Sequence, residues 1–216
     1  MPQSSPQPFR DRVEAGELLA GQLSQYSNRD DVVVLALPRG GVPVGRQVAE
    51  KLGVAFDVYI VRKLGVPGHE ELAMGAIADG VRLLNDEVVR ALDIPSNVID
   101  SVARREQIEL ERRENLYRGT RAPIVLAGKV VILVDDGLAT GSTMRAAVMA
   151  VKQHQPALVI VAVPVGAPST CRDLRREADA VVCVRTPDPL VAVGMWYRDF
   201  TPTSDREVRS LLGTVT

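Results

Sequence analysis

A chain of 216 residues, 46% hydrophobic but only 4% aromatic, is long enough to bury a generous α/β core built mostly from Val, Ala and Leu. Its 26 basic and 27 acidic residues leave a formal charge of −1, which offers no general attraction to nucleic acid or to an anionic membrane. Two cysteines without a CxxC pair and two histidines argue against a disulfide framework or a structural zinc site, and no apolar run reaches the roughly 18 residues of a membrane span.

Residues 1–8 are rich in Pro, Gln and Ser and lack the basic-then-apolar order of a secretory leader, so a soluble cytoplasmic protein is expected. Residues 10–26 carry helical spacing at Val13, Leu18, Leu19 and Leu23. Apolar runs at 32–37, 56–61, 130–134 and 158–163, with a fifth at 180–184, are rich in β-branched residues and lack clean alternation. Strands buried on both faces of a parallel sheet read this way. Helix-like stretches at 42–52, 142–153 and 169–178 alternate with them. The fold class that follows is α/β: an open, mainly parallel twisted sheet with helices on both faces, in a single domain with its core at residues 30–185.

An insertion at residues 76–120 interrupts this alternation. Residues 64–74 read as a Gly/Pro-interrupted loop, and 76–78 with 82–84 as a β-hairpin turning at Asp79-Gly80. A long charged stretch, 96–117, carries apolar residues only at Val98, Val102, Ile108 and Leu116, and reads as a solvated helix braced by charge pairs one turn apart.

The most informative segment is residues 130–144, VVILVDDGLATGSTM. A buried strand ends in two adjacent acids, Asp135 and Asp136; a turn holding Gly137, Thr140 and Gly141 follows, and a helix begins near Ser142. Ligands of open parallel sheets bind beyond the carboxyl ends of strands. Backbone N–H groups at the helix start, with the hydroxyls of Thr140, Ser142 and Thr143, form a ready anion site. Adjacent acids would repel a bare phosphate there, but suit two vicinal sugar hydroxyls or a hydrated magnesium ion. A phosphate cradle beside a diol acceptor describes a ribose 5-phosphate pocket. The plainer reading is a strand ending in solvated acids, with Thr-Gly-Ser as an ordinary helix cap; the combination of features favours the pocket.

Residues 131–143 resemble the signature of the type I phosphoribosyltransferase family, an apolar strand, two acids, one or two small residues, then Thr-Gly and a hydroxyl residue, with Gly137 and Ala139 at tolerant positions. The order of further elements extends the resemblance over most of residues 32–200, and it is strongest toward a bacterial group of stand-alone or hydrolase-fused members. It implies that the Arg39-Gly40-Gly41 loop holds pyrophosphate through backbone amides and a basic side chain. It also places a pyrophosphate-contacting basic residue at Lys63, in preference to Arg62, and makes residues 65–75 a mobile loop that excludes water. Solvated charges at a strand end and a simple turn are the plainer readings of these two segments, and His69 reads as an exposed loop residue.

Residues 186–200 resemble the hood of purine-type members, in which an aromatic stacks on the base and an acid lies near the metal. Trp196 is the aromatic, with core filler over the sheet edge as the competing reading; Asp199 stands about one residue from the position of the family's acid. The resemblance then implies transfer of ribose 5-phosphate from phosphoribosyl pyrophosphate to a nitrogen acceptor such as a nucleobase, with Mg2+ and release of pyrophosphate. Asp135, Asp136, Lys63 and Arg39 would be the catalytic set. Gly40, Gly41, Gly137, Ala139, Thr140, Gly141, Ser142, Thr143 and Trp196 would bind substrate, and Asp135, Asp136 and Asp199 the metal, the first two through water where contact is indirect. Relatives that only sense the ligand keep a regulatory module open as the alternative. Partners are expected to be small molecules rather than nucleic acid or membrane, with a homodimer by analogy.

Overall fold

The computed structural model describes residues 7–78, 81–119, 122 and 124–213. In chain order these form α1 (Arg12–Gln22), β1 (Val32–Ala36), α2 (Gly41–Leu52), β2 (Ala55–Val58), β3 (Val61–Val66), β4 (His69–Ala78), β5 (Val81–Leu84), α3 (Asp86–Ala91), α4 (Ser96–Tyr117), β6 (Val130–Val134), α5 (Ser142–Lys152), β7 (Leu158–Val165), α6 (Pro168–Leu174), β8 (Ala180–Arg185) and α7 (Asp205–Leu211). Short 3-10 turns stand at Ser24–Tyr26 and Val193–Trp196.

Five strands make the expected parallel sheet, in the order β2-β1-β6-β7-β8. β1 and β6 are buried along their whole length, which explains their unbroken runs of Val, Ile and Leu. Alternate residues feed opposite layers. Val32, Val34, Val130 and Ile132 pack with Leu19, Val44 and Val48 of α1 and α2, whereas Val33, Leu35, Val131 and Leu133 pack with Met144, Ala147 and Leu174 of α5 and α6. In-register pairing from Val32↔Val130 to Ala36↔Val134 ends β1 and β6 level, so the loops at 37–41 and 135–141 emerge side by side at the carboxyl edge.

The stretch from residue 56 to 74 departs from its sequence reading. Residues 56–61 are not one strand: β2 stops at Val58, opposite the last residue of β1, and Tyr59 N–H donates to Ala36 O (3.0 Å) as the final rung. Beyond that point β2 has no partner, and the apolar run continues as β3 of a separate antiparallel sheet, β3-β4-β5. Residues 64–74, read as a loop, are the paired arms of β3 and β4, with irregular register around Gly65 and a turn carrying Gly68 at φ 80°. Gly and Pro there mark only a bulge and a turn. The second hairpin is present as β4 and β5; its Asp79-Gly80 turn lies outside the described residues.

Helix α4 matches the expected extent but not the expected seam. Of Val98, Val102, Ile108 and Leu116 only Val102 is fully buried; the inward line is Ile99, Val102, Ala103, Glu106, Leu110 and Tyr117. That line follows helical spacing once a charged residue, Glu106, is allowed into it. Likewise Val13 and Leu18 of α1 are exposed, while Arg12, Ala15 and Leu19 face inward. Two short helices had no clear sequence signal: α3 is capped by the Asn85 side chain and α7 by Ser204. No helix among the described residues is long and apolar enough to cross a membrane.

The seam has a direct test. Leu110→Ala, removing a fully buried side chain, is expected to cost about 2–5 kcal/mol in urea unfolding. Ile108→Ala, at a position 70% exposed, should change stability by no more than about 0.5 kcal/mol. Equal losses would contradict this packing.

Candidate functional site

At the end of β6 the two acids take different surroundings. Asp136 Oδ2 accepts from both Nε (3.0 Å) and Nη2 (2.9 Å) of Arg12. The remaining Nη1 of Arg12 donates to the Thr201 carbonyl (2.9 Å), and its guanidinium lies 4.1 Å from the Phe200 ring centroid. The Tyr197 hydroxyl donates to the Asp136 carbonyl (2.6 Å). Asp136 is thus fixed by α1 on one side and by the 197–201 segment on the other. Asp135 accepts the Asp136 N–H on Oδ1 (2.9 Å), and its second oxygen has no partner among the described residues.

Burial raises the carboxyl of Asp135 well above its ordinary range, and the charge of Asp136 raises it further. Burial also raises Asp136, but there Arg12 opposes the shift. Arg12 therefore favours Asp136 as the ionised member, and Asp135 is the acid whose proton is harder to remove. Burial is also the main cause that pushes the Tyr197 phenol up, with Asp136 adding to it, so the hydroxyl stays a donor.

Asp135, residues 137–144 and Val193 line a cleft of about 150 Å³. Its wall requires glycine at two points. A Cβ on Gly137 would come within 2.5 Å of Val193, and one on Gly141, at φ 72°, within 2.6 Å of Thr170. Thr170 of α6 also donates to the Ala139 carbonyl (2.6 Å), fixing the turn from behind. Thr143, in the first turn of α5, is exposed.

The second sheet supplies two charged groups to this wall. Lys63 Nζ lies 3.1 Å from Ser142 Oγ and 3.2 Å from Glu71 Oε1. Glu71 Oε2 accepts from Thr140 Oγ1 (2.8 Å) and Ser142 Oγ (3.2 Å). The hydroxyl contact from Thr140 and then the Lys63 contact hold the Glu71 carboxyl below its ordinary range. A set of donors that converges on a carboxylate at a helix start can equally converge on phosphate oxygens. Arg62, one residue from Lys63, turns instead to Glu106 Oε2 on α4 (2.9 and 2.5 Å).

The loop at 37–41 abuts the acids. A Cβ on Gly40 would lie 2.0 Å from Asp136 Oδ2, and one on Gly41 2.7 Å from the Val134 carbonyl and 2.9 Å from the Asp135 Cα. The Pro38–Arg39 peptide is cis. The Arg39 side chain is half exposed, with Nη1 3.7 Å from Asp205 on α7, away from the cleft lining. Asp199 is also elsewhere: its Oδ1 accepts from the N–H (2.9 Å) and hydroxyl (2.7 Å) of Thr201. Trp196 packs against the cluster of Phe9 and Tyr197, and it is Val193 that sits over the cleft. Among the described residues no group of three or more His, Cys, Asp or Glu is arranged to hold a metal by itself.

Arg12, Glu71, Thr170, Val193 and Tyr197 were not singled out by the sequence. Glu71 is the one with a signal, since it stands in a polar stretch, His69-Glu70-Glu71, soon after Lys63. Arg12 carries none, because a buried arginine at the start of a terminal helix reads as a surface charge.

With this geometry in view, the relatives are informative. A sequence model of the phosphoribosyl transferase domain matches residues 10–196. Rv0571c of Mycobacterium tuberculosis, which carries a provisional phosphoribosyl transferase name, is 48% identical over 205 residues. That match takes in 94% of this chain but 46% of the relative, so the chain spans about half the length of that protein. A bifunctional protein PyrR from Chloroflexus aurantiacus is 36% identical over 130 residues, 58% of this chain and 65% of that one. The crystal structure of TT1426 from Thermus thermophilus superposes with a TM-score of 0.88 at 40% identity, covering 95% of this chain and 98% of that one.

Two stability measurements test the unequal acids. Arg12 and Asp136 have side chains only 10% and 17% exposed, so Arg12→Ala should cost about 3 kcal/mol by leaving a buried charge unpaired. Adding Asp136→Asn to Arg12→Ala should recover part of that loss, and strict additivity in the double-mutant cycle would contradict the pairing. Asp135 behaves in the opposite sense. A carboxyl raised in the folded state opposes folding as pH climbs through its folded value, and has no effect below the ordinary value of about 3.9. Asp135→Asn keeps an acceptor for the Asp136 N–H. In calorimetry it should melt above the parent at neutral pH, by about 2–4 °C per kcal/mol relieved, and level with it in strong acid.

Proposed function

This chain belongs to the phosphoribosyl transferase domain family, and from that premise we propose that it moves ribose 5-phosphate from phosphoribosyl pyrophosphate to a nitrogen acceptor of nucleobase type, releasing pyrophosphate. The observation that carries the reading is the convergence of Asp135, the Thr140–Ser142 hydroxyls and Lys63 on one cleft at the carboxyl edge of the sheet. In this reading the described sheet, arm and hood act as one domain, working on small molecules in the cytoplasm.

The chemistry asks little covalent help from the protein. Displacement at C1 of the ribose passes through an oxocarbenium-like state, so the tasks are to hold the sugar, stabilise the ring cation and receive the leaving diphosphate. The hydroxyls of Thr140, Ser142 and Thr143 with the first amides of α5 hold the 5-phosphate. Asp135, whose second oxygen has no partner among the described residues, accepts from a ribose hydroxyl. The charge on Asp136, fixed by Arg12, adds a negative field that favours the cationic ring without touching the sugar. The backbone of Gly40 and Gly41 offers the approach for pyrophosphate, and Arg39 would have to leave Asp205 to join it.

Magnesium characteristically uses one or two carboxylates, substrate phosphates and water rather than a full protein cage, and the single open oxygen of Asp135 fits that pattern. Asp135 would hold it together with ligand oxygens, and its contribution would be to neutralise charge on the leaving pyrophosphate. Asp199, engaged by Thr201, is not needed in that arrangement. Water exclusion falls to the β3–β4 arm, held beside the cleft by Lys63 on Ser142 Oγ, a contact that does not depend on Glu71. The turned-away Arg39 favours one second reading, a module that binds the ligand to sense it and does not turn it over.

Calorimetric titration with phosphoribosyl pyrophosphate, with and without magnesium, tests the pocket. Saturable, magnesium-dependent binding is expected, weakened about 10–100-fold by Asp135→Asn, the loss of one charged hydrogen bond. Pyrophosphate release with a panel of nucleobases then separates transfer from sensing. No binding to the parent protein would end the ligand assignment.

A further inference from the structure

The least expected contact in the cleft is the one made by Glu71. Its side chain is 69% exposed, on an outer stretch of β4 whose neighbours, residues 67–72, are all exposed. A glutamate in such a place is ordinarily solvated. Here both its oxygens are turned onto the cradle: Oε1 to Lys63 Nζ at 3.2 Å, and Oε2 to Thr140 Oγ1 at 2.8 Å and Ser142 Oγ at 3.2 Å. The two hydroxyls are among the groups that the proposed function assigns to the ligand's 5-phosphate, and Lys63 converges on the same cleft through Ser142. The adjacent Glu70 makes no contact with Thr140 or Ser142: its carboxylate accepts the Gly68 N–H within the arm (3.2 Å).

We infer that Glu71 is a built-in anion that competes with the ligand's phosphate for the cradle, and so sets both the affinity of the site and its preference for doubly charged phosphate. The inference rests on the phosphate reading of the cleft. A carboxylate and a phosphate oxygen present the same acceptor to a lysine ammonium and two hydroxyls, and they cannot occupy it together. A singly charged ligand gains little by replacing Glu71, because one carboxylate-like charge is exchanged for another. A phosphate monoester brings a second charge and a third oxygen to the helix start, and it leaves Lys63 still anchored on Ser142 Oγ. The Glu71 contacts are largely exposed and correspondingly weak, so displacement is affordable. The apparent dissociation constant then equals the intrinsic one divided by the fraction of molecules in which Glu71 has left. Arm and ligand become linked: phosphate entry breaks the Glu71 tie between hairpin and cleft and keeps the Lys63 one.

The test titrates ribose 5-phosphate and, separately, inorganic phosphate into the parent chain, Glu71→Gln, Glu71→Ala and Glu70→Gln. Both Glu71 variants are expected to bind ribose 5-phosphate about tenfold more tightly than the parent, as for a cleft in which the closed form outweighs the open by about ten to one. Glu70→Gln, which removes the same charge one residue away, should bind as the parent does. Equal affinity in the parent and both Glu71 variants would overturn the competition while leaving the phosphate site intact. Equal tightening by Glu70→Gln and Glu71→Gln would overturn it too, since general charge removal would then suffice. Binding by none of the four proteins would remove the phosphate reading itself, and the competition with it.

Discussion

Two carboxylates placed side by side at the end of a buried strand are an electrostatic burden, and the structure around them is arranged by how that burden is met. Arg12 meets half of it, with two hydrogen bonds to one oxygen of Asp136. To do so it must be buried, and the surrounding groups are those that a buried guanidinium needs: a carbonyl, from Thr201, and an aromatic face, from Phe200. The Tyr197 hydroxyl closes the same knot onto the backbone of Asp136. One ion pair thereby brings together the start of α1, the end of β6 and residues 197–201, regions far apart in sequence. At Asp135 the charge of Arg12 only weakly opposes burial and the charge of Asp136, so that carboxyl stays well above its ordinary range.

Beyond the acids the field changes sign. The first turn of α5, the hydroxyls of Thr140 and Ser142 and the ammonium of Lys63 form an anion-accepting concavity, held here by the Glu71 carboxylate, a few residues from the two acids. A ligand with a phosphate at one end and hydroxyls at the other matches that gradient; a simple cation or a simple anion matches half of it. Specificity of this kind comes from the order of charges along the cleft, and it needs no large apolar pocket.

The part of the fold that was legible is the part where local pattern and tertiary role coincide. β1 and β6 are buried on both faces, so their composition alone announces a parallel core. The turn at 135–141 was legible because glycine is required at Gly137 and Gly141 by contacts with Val193 and Thr170. The β3–β4 arm was hidden because its outer residues pair in a sheet that has little to bury, so they read as loop. The seam of α4 was misplaced because Glu106, a charged residue, faces inward to receive Arg62. Arg12 was invisible for a related reason: the partner that makes its burial tolerable lies 124 positions away. Sequence periodicity records what faces the core, but not which charge has found a distant partner.

The choice between Arg62 and Lys63 shows how the two sheets cooperate. Successive side chains of a strand point to opposite faces, so β3 cannot send both to the same neighbour. Arg62 goes to Glu106 on α4, and Lys63 to Ser142 on α5. Arg62 therefore ties the base of the arm to the long helix, while Lys63 and Glu71 tie it to the cleft. The first tie is partly buried and joins β3 to α4; the second is exposed at Glu71 and joins the antiparallel sheet to the start of α5. Of the two, the exposed tie is the weaker in water. Any movement of the arm against the cleft should then begin at Glu71 and pivot about the Arg62–Glu106 pair. On this argument α4 is more than a solvated brace, because it supplies the fixed point from which the arm can be released.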